Sequence, residues 1–327
     1  KGILEYDKKK FKIDTNINLP VKMMLNIGNP ESAFNSSLLP CDGVGLARLE
    51  FIINNYIKIH PNSLINFGTL NDELKLKIKN IIGHYKPEKY FVDKLARGVS
   101  QIASAFYPKD VIIRLSDFKS NEYKNLIGGE IFEPVEENPM IGWRGASRYY
   151  DKEYENSFRL ECEAIKYARD KMGMTNIIVM IPFCRTPYEL EKVIKTMDKY
   201  GLKRGYNNLK LYLMCEIPSN VIEADIFSKM IDGVSIGGND LLQLTLGIDR
   251  DSERITHIGN DKNTSYRRLI SKAIKVYKEN GVKVGFCGQQ PSDSIEFCKF
   301  LIEEKIDSIS VITDSLLKTI NTISNNL

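Results

Sequence analysis

Short apolar runs alternate with longer amphipathic stretches along almost the whole chain. The runs are VKMMLNIG from Val21, GVGLARLE from Gly43, VIIRLSD from Val111 and IIVMIPF from Ile177. They continue with LKLYLMCEIP from Leu209, GVSIGGND from Gly233, VKVGFCG from Val282 and IDSISV from Ile306. Near-continuous apolar runs rich in β-branched residues predict strands buried on both faces, as in a parallel sheet. The stretches between them predict helices. Thr186-Pro187-Tyr188-Glu189 is a capping-box pattern with Pro at the first helical position, and Gly201 is placed to end that helix. FRLECEAIKYARDKMG and SYRRLISKAIKVYKENG are amphipathic and also end in Gly. About eight β/α alternations favour an α/β fold of the (β/α)8 TIM-barrel type over an open doubly wound sheet. Two stretches exceed that scheme. Residues 70–107 read as an extra helical pair between strands 2 and 3, and residues 118–150 as a long Gly/Glu/Pro-rich loop after strand 3. Long loops at the carboxyl face of a barrel tend to be functional.

The chain's 327 residues are enough for one large barrel. Lys and Arg total 46 against 42 for Asp and Glu, a net +4 that is too small and too dispersed to argue for nucleic acid or an anionic membrane. No apolar run reaches membrane-spanning length, and KGILEYDKKKFKID has no apolar core for a secretory signal. The six cysteines contain no C-x-x-C pair and no Cys/His cluster, which argues against zinc and a disulfide scaffold and for a reducing, cytoplasmic location. The missing initiator Met raises the expectation of a piece of a longer chain.

In a barrel the chemistry collects where the strands end. Strand 2 ends with Arg48 and Glu50, strand 3 carries Arg114, and the long loop adds Arg144. Strand 5 ends with Glu216, strand 6 with Asn239 and Asp240, and strand 7 with Cys287. Arginines converging on one mouth predict a substrate with several negative charges, such as a phosphate. Two carboxylates, Glu216 and Asp240, supply hard oxygen ligands, and a pair completed by substrate and water oxygens suits Mg²⁺. Gly237 and Gly238 let the backbone approach a ligand, so that its N–H groups hold a carboxylate. Cys287 between Gly285 and Gly288 offers a thiol for proton transfer. Plainer readings stand beside each of these. The arginines and carboxylates pair with one another for structure, and Cys287 packs as a small hydrophobe. Cys215 points to the opposite face of its strand and packs. The three histidines, His60, His84 and His257, lie away from the strand ends and read as surface or capping residues.

NIGNPESAF, GVGLARLEFI, RLSDFKSNEY, EENPMIGWRGASRY, MCEIPSN, IGGNDLLQLTLGIDRDS and CGQQPSD resemble the C-terminal barrel of the phosphoenolpyruvate synthases (pyruvate, water dikinases), within the PEP-utilising enzymes. The resemblance runs from about Pro20 to the end. It implies a PEP/pyruvate-binding TIM barrel over residues 20–327. Residues 1–19, where GILEYD is similar to the last strand of the central domain, are then the end of a phosphohistidine domain and its linker. The implied reaction converts ATP, pyruvate and water to AMP, phosphoenolpyruvate and phosphate. A phosphohistidine on a separate domain, charged by an ATP-binding domain, phosphorylates the pyruvate enolate. Neither a phosphohistidine motif nor a phosphate-binding Gly-rich loop lies in this chain, so the chain alone is not competent for the full reaction. By resemblance Arg48, Arg114 and Arg144 hold the transferred phosphoryl group, and Glu216 and Asp240 bind Mg²⁺ (or Mn²⁺) and through it the substrate. Asn239, with the backbone of Gly237 and Gly238, holds the carboxylate, and Cys287 moves a proton to and from the methyl carbon. A free thiol near pKa 8.5 makes both forms of Cys287 reachable close to neutrality. A homodimer is implied as well. Three positions depart from the family: Gly238 replaces Ser or Thr, Leu242 replaces Thr, and Gln290 replaces Gly. A pyruvate phosphate dikinase-like domain and a non-catalytic barrel kept for dimerisation or metabolite sensing are the alternatives.

Overall fold

All eight apolar runs form strands in the computed structural model, which describes residues 19–249 and 252–324. They are β1 Lys22–Ile27, β2 Val44–Arg48, β3 Val111–Arg114, β4 Ile177–Ile181, β5 Leu211–Cys215, β6 Gly233–Ile236, β7 Lys283–Phe286 and β8 Ser308–Ile312. Each pairs in parallel with the next, and β8 pairs back with β1, closing a barrel in sequence order. The segment assigned by resemblance to a preceding domain falls almost wholly outside the described residues, which begin at Leu19.

Unbroken apolar runs follow from burial on two sides. In β4, Ile178 and Met180 join Leu46, Ile112, Met214 and Cys287 in the core inside the barrel. Ile177, Val179 and Ile181 of the same strand pack outward into the larger core beneath the helices. Cys215 belongs to that outer core, as its alternation with Glu216 requires.

Helix Pro187–Lys199 starts where its sequence dictates, with the Thr186 hydroxyl accepting from the Glu189 N–H at 3.1 Å. Its reciprocal arm is displaced by one residue: the Glu189 carboxylate accepts from the Arg185 N–H, not from that of Thr186. The other two amphipathic stretches are the helices Glu155–Asp170 and Thr264–Glu279, and the extra pair is Asp72–Ile82 and Pro87–Phe106. Pro87–Phe106 packs on Glu155–Asp170 outside the barrel. Not foreseen is a helical passage, Leu49–Ile57, leading directly from β2.

Residues 118–150 contain the short helices Ser120–Tyr123 and Ala146–Tyr149. A buried cluster ties this loop down. Arg148 donates to both oxygens of Glu133, at 2.8 and 2.6 Å, with its guanidinium 4.0 Å above the Trp143 ring. His60 completes the cluster, its Nε2 3.0 Å from Glu133 Oε1. The surface reading of His60 is therefore overturned, because the ring is fully buried. Its capping role stands, since Nδ1 accepts from the Asn62 N–H at 3.2 Å. Burial lowers the imidazole pKa, and Glu133 offsets only part of that. His84 and His257 are exposed. Among the described residues no helix is long and apolar enough to cross a membrane.

Candidate active site

A cavity of about 760 Å³ opens at the carboxyl end of the barrel. Arg48, Arg114, Arg144, Glu216, Gly237, Gly238, Asn239, Asp240 and Cys287 all line it. Residues scattered over 240 positions of sequence thus meet at one face.

The cationic side is built from β2, β3 and the long loop. Arg48 and Arg114 are register partners on neighbouring strands, a like-charge juxtaposition that needs an answer. Glu50 and Asp117 give it. Arg114 Nη2 donates to Glu50 Oε1 at 2.5 Å, and its Nη1 lies 3.4 Å from Asp117 Oδ2. Arg144 clasps Asp117 at both oxygens, Nε to Oδ1 at 3.0 Å and Nη2 to Oδ2 at 2.6 Å. Its Nη1 lies 3.7 Å from Asp240 Oδ1, and its guanidinium stacks 3.9 Å from the centre of the Phe183 ring. Burial alone would pull both guanidinium pKa values down. Glu50 and Asp117 outweigh it at Arg114, and Asp117 does so at Arg144, so both rise. Burial likewise opposes ionisation of Asp117, but Arg144 and Arg114 hold its carboxyl below the ordinary range. Arg48, by contrast, is exposed, 5.6 Å from the centre of the Phe51 ring.

Glu50 is not a strand residue. It sits in the first turn of the helix after β2, from which it reaches Arg114 and accepts the Asp117 N–H at 2.9 Å. Asp117 went unrecognised in the sequence although it follows Arg114 by three residues within RLSDFKSNEY. That spacing was the available signal. Behind this turn, fully buried Glu161 accepts from the Ser116 hydroxyl at 2.5 Å and the Ser116 N–H at 3.2 Å. Burial pushes its pKa up to about 7.

The anionic side follows β5 and β6. Glu216 is fully buried. Its Oε1 accepts from the Phe183 N–H at 2.7 Å, while Oε2 has no hydrogen-bond partner among the described residues. Oε2 lies against Gly237, whose absent Cβ would stand 2.9 Å from it. Burial first, then the charges of Asp240 and Asp117, push the Glu216 carboxyl well above its ordinary range. A buried oxygen without a donor, beside a second carboxylate, is a fit for a divalent cation. Among the described residues no group of three or more His, Cys, Asp or Glu forms a complete metal cage. A cation held by Glu216 and Asp240 would complete its shell with further oxygens, such as those of ligand and water.

Asn239 and Asp240 do not end β6. They lie in the first turn of helix Gly238–Leu246, capped by Gly237. The first N–H groups of a helix lack internal acceptors and carry partial positive charge, so this turn is suited to an anion.

Cys287 follows β7 and is buried beside Leu46 and Met214 in the inner core, while still lining the cavity. Packing and exposure to a ligand thus coexist. Burial pushes the thiol up to about 11, so it is a thiol at neutral pH and not the evenly poised acid expected from an exposed cysteine.

The three departures meet the same cavity. A Cβ at Gly238 would lie 2.4 Å from Phe286 Cζ, so a side chain has no room there. Leu242 presents an apolar wall, and Gln290 Nε2 donates to Asn239 Oδ1 at 3.3 Å.

A closed parallel barrel thus carries a braced arginine cradle facing a buried carboxylate pair. The model of the PEP-utilising enzyme family, PEP-binding domain, matches residues 5–326, and the chain belongs to that family. Its relatives include phosphoenolpyruvate synthases. That of Synechocystis sp. is 55% identical over 98% of this chain and 39% of its own length. That of Aquifex aeolicus is 47% identical over 97% of this chain and 43% of its own length. For the Escherichia coli enzyme the figures are 48%, 97% and 40%. The chain spans about two fifths of the length of these relatives.

Proposed function

We propose that this chain is the pyruvate- and PEP-binding part of a phosphoenolpyruvate synthase, the phosphoryl group arriving on a histidine of another domain. The observation that carries the reading is the pairing across one cavity of an arginine cradle with the Glu216–Asp240 carboxylates. The cradle matches a phosphoryl group in charge. The first turn of helix Gly238–Leu246, with Asn239, matches a carboxylate. Cys287 lies between inner-core Leu46 and Met214 and the cavity, a setting for a methyl group.

In the forward direction the methyl carbon gives a proton to the Cys287 sulfur, which must be thiolate at that moment. The enolate oxygen then bonds to phosphorus as the phosphorus–nitrogen bond of the phosphohistidine breaks. In reverse the Cys287 thiol returns the proton to carbon, and its raised pKa keeps it protonated for that step. Arg114 and Arg144 are held rigidly by Asp117 and Glu50, so they meet the phosphoryl charge with little reorganisation. Glu216 and Asp240 would hold Mg²⁺ or Mn²⁺, which when bound neutralises charge developing on the enolate.

Calorimetry with oxalate, a planar enolate mimic, tests this. Oxalate should bind with Mg²⁺ or Mn²⁺ present and lose most of its affinity without metal or in Asp240→Ala. Equal binding with and without metal would refute the assignment of the carboxylates.

A further inference from the structure

Two buried polar atoms near Gly238 have no hydrogen-bond partner among the described residues: the Tyr266 hydroxyl and Gln290 Oε1. They face the same small space. The point that a Gly238 Cβ would occupy lies 2.6 Å from Tyr266 Oη and 2.7 Å from Gln290 Oε1. It also lies 2.4 Å from Phe286 Cζ, too close for a bridging water. One is a hydroxyl donor and the other a carbonyl acceptor; they are not bonded to each other in this structure, but a rotation that brings them within hydrogen-bond distance would satisfy both, and leaving either unmade is costly.

The other end of the Gln290 amide is engaged, its Nε2 donating to Asn239 Oδ1 at 3.3 Å. This fixes which way the Asn239 amide faces. With Oδ1 occupied, Asn239 offers its Nδ2–H₂ group as donor. An Asn without that partner has to turn its amide on binding before its Nδ2–H₂ group faces an anion.

We propose that Tyr266, Gln290 and Asn239 form a donor relay that presents the Asn239 amide to a bound carboxylate. Tyr266 donates to Gln290, Gln290 donates to Asn239, and Asn239 donates to the anion. Each link polarises the next. Gln290 and Tyr266 are positioning residues that act through Asn239. The relay also accounts for the glycine at 238, since any side chain there would displace the Gln290 carbonyl and the Tyr266 hydroxyl together. The inference rests on the reading of this cavity as a 2-oxo-acid site.

The test is oxalate calorimetry with Mn²⁺ on the full chain, with Gln290→Met, Tyr266→Phe and the double variant. Gln290→Met keeps the length of the side chain and removes the donor. It should weaken oxalate about fivefold, the worth of one neutral hydrogen bond. Tyr266→Phe should weaken it about threefold. The double variant should be no weaker than Gln290→Met, because Tyr266 acts only through Gln290. Two contributions that multiply, or oxalate binding within twofold of the unsubstituted chain in both single variants, overturn the relay. If Gln290→Met fails to fold, Tyr266→Phe decides alone on the same threefold criterion. Failure of the unsubstituted chain to bind oxalate would instead overturn the functional reading on which the relay stands.

Discussion

Asp117→Asn isolates the electrostatic logic of the cradle. The side chain keeps its shape and loses its charge. In the unsubstituted chain its two oxygens accept from Arg144 at 3.0 and 2.6 Å and lie 3.4 Å from Arg114. Both guanidinium groups are buried, so removing their shared carboxylate leaves cationic charge uncompensated. Breaking one buried pair in this way costs about 3–5 kcal/mol. Arg114 keeps Glu50 and Arg144 keeps Asp240 at 3.7 Å, which places the expected loss near the lower limit, about 3 kcal/mol. For a chain of this length the entropy of unfolding is roughly 0.7 kcal/mol/K, so the melting temperature should fall by about 4 °C. Urea titration of both proteins without ligand measures the loss directly, provided the slopes agree. Phosphoenolpyruvate with Mg²⁺ should recover part of it, because the ligand supplies the missing negative charge. A destabilisation below about 1 kcal/mol would refute the reasoning and leave Asp117 as one solvated carboxylate among several.

Two further outcomes follow from buried groups around the cavity. Glu161 has its folded pKa raised to about 7 by burial, so the folded state holds its proton more tightly than the unfolded chain does. Its contribution is complete below the unfolded value near 4.5 and fades as pH rises through 7. Urea titrations should therefore show the chain losing roughly 3 kcal/mol relative to Glu161→Gln between pH 5 and pH 8, and a pH-independent difference would refute this. Cys287→Ser, measured in the full-length enzyme, should hold oxalate affinity within a few-fold while turnover falls roughly 10²–10⁴-fold, and near-normal turnover would reduce the thiol to a packing residue.

The barrel was legible because its strands announce themselves twice. A run such as IIVMIPF has to fill an inner and an outer core at once, and only a strand covered on both faces does that. Helix starts were legible where a local pattern carries the whole signal, as at Thr186. Less of the carboxyl face was readable. Arg48 and Arg114 stand out because charge at the end of an apolar run is conspicuous. Glu50 was visible but assigned to the strand, since nothing in GVGLARLE says that the chain turns helical after Arg48. Asn239 and Asp240 were assigned to a strand end for the same reason, although the turn to helix at Gly238 is what equips that segment for an anion. His60 went wrong differently. Its partners Glu133 and Arg148 lie 73 and 88 residues away, and no local pattern can reveal a buried ionic cluster assembled over such spans.

What stayed hidden has a common physical character. The residues that touch a ligand must present charge or a donor at an open cavity, and that need restricts their chemistry enough to be noticed. The residues that hold them need only be complementary to a neighbour. Asp117 is complementary to Arg144, Glu161 to the Ser116 turn and Gln290 to Asn239. Each is an ordinary polar residue until its partner is known. Yet Asp117, with Glu50, is what keeps the cradle rigid. The buried Arg114 and Arg144 would repel each other apart without a ligand, and Asp117 prevents it by sharing its oxygens between them while Glu50 holds Arg114. The carboxylates opposite repel in the same way, and among the described residues Glu216 Oε2 has no hydrogen-bond partner. The buried arginines are thus paired within the protein, while a carboxylate oxygen opposite them is left without a hydrogen-bond donor among the described residues. That asymmetry is the physical argument for the cation proposed at Glu216 and Asp240.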